Sequence, residues 1–195
     1  MKKLKISLIA ALVLIGQNVF AQNLKTIDFS TVEISKANIP LLGIPQISAS
    51  EFKVYQMDVA SLLSDLEGIA HIESPSSGFE ANVVFPHPDG SMHEYKAIEN
   101  TTMHRQLALN YPNIKSFNAD NGKDAYLKWD VTHKGLHAMI MRPGKSTIFI
   151  DPLFDGNDNY YIVYEKSAFL TDKTKDCQFN SDSENLKTSL DPVSG

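Results

Sequence analysis

The sequence predicts an α+β fold: a β-rich antiparallel sheet with two short helices and a flexible polar C-terminal tail. Three observations carry this. Stretches such as Leu127–Thr132 and Leu136–Met141 alternate apolar and polar residues, the period of a half-buried strand. Only two windows, near Asp58–Gly68 and Met103–Tyr111, place apolar residues three or four apart. From Thr171 onward Ser, Thr, Asp, Asn and Lys dominate, too polar to offset the entropy of ordering.

Taken in order, Leu24 to Ile47 shows short alternations, Ile27/Phe29 and Val32/Ile34, broken by Pro40, Gly43 and Pro45. These predict edge strands and loops. In Asp58–Gly68, Val59, Leu62, Leu63 and Leu66 form one helical face. Asp58 is placed to cap the first turn, and Gly68 to take the left-handed conformation beyond the end. Phe79–Phe85 and Met92–Glu99 read as strands joined through Pro86-His87-Pro88-Asp89-Gly90, a hairpin. Thr101 or Thr102 is the expected cap of a second helix that aligns Met103, Leu107 and Tyr111, and Pro112 stops it. Ile114–Phe117 resumes the extended pattern. His133-Lys134-Gly135 turns a second hairpin, and Thr147–Ile150 and Tyr160–Tyr164 supply two more strands.

The termini set the cellular context. Lys2, Lys3 and Lys5 precede the apolar run Ile6–Ile15, and Val19-Phe20-Ala21 suits a signal peptidase, so residues 1–21 read as a removable signal peptide cut after Ala21. The run is shorter than the ~20 residues a membrane span needs. The expected product is secreted, with no membrane partner once the signal is gone. Removing 21 of the 195 residues leaves 174, enough for a β-rich domain over 22–166 and a polar linker over 167–195. It also removes three lysines, taking the formal charge from −5 to −8. An acidic chain without a basic cluster is no nucleic-acid partner. Cys177 is the one cysteine, so no internal disulfide forms and stability must come from packing.

Several segments, in order, resemble the N-terminal prosegment of secreted bacterial reprolysin-like (adamalysin-type, metzincin) zinc metallopeptidases. They are Tyr55–Leu66, Val84–Gly90 with Tyr95, Met103, Leu107–Phe117, Trp129–Met139, Ile148–Pro152 and Tyr160–Tyr164, together spanning roughly residues 50–166. The resemblance implies a non-catalytic propeptide that assists folding of a metalloprotease catalytic domain in cis and keeps it latent. The enzyme's zinc signature, His-Glu-x-x-His followed by Gly and a third His, is absent, so this chain carries no catalytic residue and no cofactor of its own. Zinc would sit in the partner. The resemblance therefore implies the front piece of a longer precursor, or a chain whose catalytic half has been lost.

Cys177 is the candidate metal residue, an inhibitory ligand. A thiolate on the partner's zinc would occupy the position where water is activated. Its placement after the folded region fits, but Lys175-Asp176-Cys177-Gln178-Phe179 lacks the Pro-Arg/Lys-Cys-Gly form of other latent metalloproteases, and an incidental thiol is the competing reading. The segments around Tyr111-Pro112, Trp129 and His137 are assigned to scaffold.

Other groupings read as structural. His133 and His137 flank the Gly135 turn, with His87, His93 and His104 elsewhere, but their spacing defines no converging zinc set. Asp155-Gly156-Asn157-Asp158-Asn159 departs from the EF-hand pattern, with Tyr160 and Lys166 where Gly and Glu are needed. That leaves a solvated acidic turn or a looser calcium site. Asn100-Thr101-Thr102 is a sequon that matters only in a eukaryotic pathway. Neither a G-x-S-x-G elbow nor Asp-Thr-Gly occurs. Trp129 and Tyr160/Tyr161 read as strand packing. The alternative function is a free-standing secreted binding or adhesion module without a protease partner.

Overall fold

The computed structural model describes residues 25–27 and 32–170. Ten strands lie among them: β1 Lys25–Ile27, β2 Val32–Ile34, β3 Phe52–Gln56, β4 Ala81–Pro86, β5 Met92–Asn100, β6 Lys115–Asp120, β7 Tyr126–Thr132, β8 Gly135–Met141, β9 Ile148–Phe154 and β10 Asn157–Glu165. Three short α-helices accompany them: α1 Ile39–Leu42, α2 Val59–Asp65 and α3 Arg105–Asn110. The strands form one sheet in the order β1-β4-β5-β6-β7-β8-β9-β10-β3-β2. Every pairing is antiparallel except β1 with β4. The fold is α+β and β-rich, as the alternation predicts.

Chain connectivity forces this sheet to curl. β1 and β2 sit at opposite ends of the strand order, yet only residues 28–31 separate them in sequence. Laid flat, ten strands would hold these edges about 43 Å apart at the usual strand spacing. The five residue steps from Ile27 to Val32 reach at most about 18 Å. The two edges are therefore brought together into a seam. Across it, the β4–β5 turn touches β3: a Cβ on Gly90 would stand 3.1 Å from Lys53 Cε.

Curling gives the sheet an inside. β7 shows the pattern plainly, with Leu127, Trp129 and Val131 buried and Tyr126, Lys128 and Asp130 exposed. Trp129 stacks on Phe117 at 4.8 Å between ring centres and meets Phe85 at 5.3 Å. Tyr55, Tyr95, Ile140, Ile150 and Tyr161 join the same interior from five other strands. One end of the interior is closed by α2, which inserts Val59 and Leu62, with Leu66 just beyond. Its start follows the expected chemistry: Asp58 accepts a hydrogen bond from Ser61 N at 2.9 Å, and Gly68 takes φ +83° past the end.

A second apolar layer lies on the outside of β3, β9 and β10. Val54, Leu153, Phe154, Ile162 and Tyr164 are buried there beneath Ile39, Leu42, Ile47 and Ala49. The region expected to hold only edge strands and loops thus also folds α1 across the sheet. β1 and β2 do occupy the two sheet edges. The hairpin at His133-Lys134 closes with Thr132 opposite Gly135, which takes φ +95°.

Two expectations differ from the structure. The strand β3 lies just ahead of α2, where none was predicted. The second helix is capped by His104, whose Nδ1 accepts from Gln106 N at 3.4 Å, and not by either threonine. Their hydroxyls are engaged elsewhere, Thr101 with His71 Nε2 at 2.9 Å and Thr102 with Ser116 Oγ at 2.7 Å, so Met103 precedes the helix. The described residues continue past Lys166 to Leu170. Ser50 N donates to Ala168 O and Leu170 N to Ser48 O, at 2.8 and 2.9 Å. Residues 171–195, and with them the expected tail, lie outside the described residues, as do residues 1–21 and the proposed signal cut.

Because Leu62 is fully buried at the closed end of the interior, Leu62→Ala should cost about 2–5 kcal/mol through lost transfer energy and a residual cavity. Urea denaturation with an unchanged m-value would read this as a shift of midpoint. A loss below 1 kcal/mol would mean that α2 is not the plug described.

Candidate functional site

Cys177, the predicted inhibitory ligand, lies outside the described residues. The sites open to geometric reading are a polar ladder on the outer face of the sheet, a histidine cluster at the β4–β5 turn, and an apolar projection on α3.

The ladder crosses five strands. Ser116 on β6 donates to Asp130 on β7, which pairs in register with His137 on β8. His137 Nδ1 meets Asp151 Oδ1 on β9 at 2.8 Å, and Tyr164 Oη on β10 donates to Asp151 Oδ2 at 3.0 Å. Burial, and then the neighbouring Asp151 carboxylate, push the Tyr164 phenol well above its usual range. The residue types suggest a nucleophile, a base and an orienting acid, but the connections do not. A nucleophilic serine must give its proton to an imidazole that a carboxylate orients. Here Ser116 donates to a carboxylate, and a different carboxylate holds His137. The arrangement stitches strands together.

The second cluster surrounds His87, which is buried at 6% exposure despite following the end of β4. Its Nε2 and Tyr95 Oη are 2.7 Å apart, and its ring stacks on His93 at 3.9 Å between centres. Ser91 Oγ donates to Asp89 Oδ1 at 2.5 Å and meets His93 Nε2 at 2.8 Å. The Ser91 hydroxyl and backbone N–H hold the Asp89 carboxyl below its ordinary range. Burial, with the His93 ring and the Arg142 guanidinium nearby, lowers His87 to about 4. Burial raises Tyr95 to about 12. The Ser91 proton goes to Asp89, so Ser91 is no activated nucleophile either.

Two further histidines have local tasks. His71 Nδ1 accepts from Glu73 N at 3.1 Å, and His104 caps α3. His93-Glu94 opens a His-Glu-x-x pattern, but Ala97 stands where a second histidine is needed, and the stretch is a strand, not a helix. Among the described residues, no group of three or more His, Cys, Asp and Glu side chains is placed to hold a metal ion. Asp155-Gly156 turns β9 into β10, with Gly156 at φ +70° and Asn159 N bonded to Asn157 Oδ1 at 3.1 Å. Trp129 and Tyr161 face the interior, where Tyr161 Oη accepts from Leu136 N at 3.2 Å.

The third feature lies on and just after α3, where Leu107, Leu109 and Tyr111 are 46, 77 and 53% exposed. Beside them a groove of about 520 Å³ runs between α2 and α3, lined by Leu63, Tyr111, Pro112, Ile114 and Val131. Large apolar side chains grouped on one short helix mark a surface suited to a partner. The sequence holds their spacing but not the direction in which the helix faces. Comparison with protein-family models, with curated proteins and with solved structures found no match.

Tyr95→Phe should cost about 1–3 kcal/mol, because it strips a buried imidazole nitrogen of its partner. Tyr126→Phe, on the exposed face, should stay within about 0.5 kcal/mol of the parent. Chemical denaturation of both at pH 7.5 checks the contrast, and equal midpoints would contradict the buried Tyr95–His87 bond.

Proposed function

We propose that this chain is the non-catalytic prosegment of a secreted reprolysin-like zinc metallopeptidase, which folds in front of the catalytic domain, assists its folding and holds it latent. The observation that carries this reading is the ordered series of resembling segments from Tyr55 to Tyr164. Each falls within or beside a neighbouring element of one sheet: β3 and α2, the β4–β5 hairpin, α3 and β6, the β7–β8 hairpin, β9, and β10.

Two features support it. The interior is filled by Trp129, Tyr95, Tyr161 and Phe85, and the polar clusters are wired to carboxylates and strands instead of poised for proton transfer. Opposite in character, Leu107, Leu109 and Tyr111 offer apolar surface that association with another domain would bury. On this reading Cys177 supplies a thiolate to the partner's zinc. The coordination excludes water from the fourth position and silences hydrolysis until the region after Leu170 is cut.

A second reading, a free-standing secreted binding module, is favoured by the completeness of the two apolar layers, which need no partner to close. It places the same α3 surface against a different occupant.

The test adds the mature chain in excess to the mature catalytic domain encoded downstream and follows peptide hydrolysis. Inhibition is expected, with at least tenfold weaker inhibition for Cys177→Ser and for Leu109→Asp. If the parent chain neither slows hydrolysis nor raises the refolding yield of the catalytic domain, the prosegment reading fails. Absence of any His-Glu-x-x-His sequence after Gly195 in the gene would favour the free-standing module.

A further inference from the structure

The seam where the β4–β5 turn meets β3 carries a feature independent of any protease partner. β2 covers the free edge of β3 only from Val54 to Gln56. At Lys53 the β4–β5 turn approaches instead, with Gly90 against the Lys53 side chain. Lys53 Nζ in turn donates to Glu33 Oε1 on β2 at 2.5 Å. The turn, β3 and β2 are thus joined in series through one lysine.

The turn is built on His87. Its backbone N–H donates to Ser91 O at 2.8 Å and its carbonyl accepts from Gly90 N at 3.0 Å, so the residue that presents Gly90 to Lys53 also closes the turn. Its imidazole is held by two neighbours and sensed by a third. Tyr95 bonds it and His93 stacks on it, both from β5, while Asp89 faces it from the turn itself. Arg142, just after β8, and Glu165, at the end of β10, complete the charged surroundings and pair with each other at 2.7 Å. A second proton on this buried ring would create a cation facing a histidine and a guanidinium. The Asp89 carboxylate, engaged by Ser91, only partly offsets it.

We propose that the β4–β5 turn is an acid-sensitive latch, in which protonation of His87 detaches the turn from Lys53 of β3 and loosens the hold of Lys53 on Glu33 of β2. The sign follows from linkage. A histidine whose folded pKa is lowered contributes stability that is full above the unfolded value and is lost as pH falls from there toward the folded value. With His87 at about 4 when latched and an ordinary imidazole when released, the loss falls between about pH 6.5 and 4. The opening equilibrium should then rise about thirtyfold between pH 6.5 and 4.5. At neutral pH the latch is closed, and in mildly acidic surroundings the seam gives way while the strands far from it hold.

The test is nuclear magnetic resonance on the mature chain, reading hydrogen-exchange protection factors, which are already corrected for the intrinsic pH dependence of exchange. From pH 6.5 to 4.5 the His87 and Gly90 amides should lose protection about thirtyfold. Those of Val32 to Ile34 should follow, while Leu127, Trp129 and Val131 on β7 keep theirs. His87→Gln, which retains a neutral acceptor, should flatten the response. Loss of protection at β7 in step with the turn, or an unchanged response in His87→Gln, would overturn the latch. Should that variant fail to fold, the wild-type imidazole decides: a His87 ring titrating at or above the ordinary histidine value sinks the proposal, and one titrating well below it upholds it.

Discussion

The structure rests on a shortage of covering elements. A sheet with one apolar face must bury it, and among the described residues only seven-residue α2 covers the inner face. The sheet therefore covers itself. Curling brings the β1 and β2 edges toward each other at a seam and sets Phe85 and Phe117 against Trp129 in the middle. The bulk of these rings is a consequence: a curled sheet of this size encloses a volume that small side chains would leave empty, and empty volume is costly. α1 then seals the outer face where β3, β9 and β10 remain apolar.

That constraint also explains what was legible in the sequence. Strands β5, β7 and β8 alternate because each has one face inside and one toward water, so the hairpins at Gly90 and His133-Lys134 could be placed from pattern and turn chemistry. β3 defeats the same logic. Its outward residue Val54 is buried beneath α1 and its inward Tyr55 faces the core, so apolar side chains stand on both faces and no clean alternation marks the strand. α3 fails differently. Leu107 and Tyr111 have helical spacing, but spacing reports which residues share a face and not what that face meets. Its cap was misplaced because Thr101 and Thr102, good caps by type, find partners in His71 and Ser116, from parts of the chain that only the fold brings near.

The candidate sites were legible to different degrees. Cys177 was legible by its singularity, and its surroundings lie outside the described residues. The outer ladder was invisible, since Ser116, Asp130, His137 and Asp151 meet only through strand register. His87 did leave a signal. The inward positions of β4 are Ala81, Val83 and Phe85, and the next step of two is His87 itself. An imidazole continuing an apolar alternation into a turn is a titratable group headed for burial, and two flanking prolines fix its backbone direction.

The same economy separates the molecule into parts with different freedom. The interior and α2 are tied by contacts that no single proton can disturb, because every side chain there is apolar or has a phenol or indole as its only polar group. The rim of the seam is different: there the β4–β5 turn, built on a buried imidazole, meets Lys53 of β3, and Lys53 pairs with Glu33 of β2. Such a seam is the cheapest place to open the fold, since opening it exposes two edges without emptying the core. The apolar α3 surface belongs to the opposite end, beside α2, and does not share those contacts. A partner seated on α3 and a proton taken up at His87 would therefore act on the domain separately. Each could be altered by substitution without disturbing the other, the additivity expected of sites with no common neighbour.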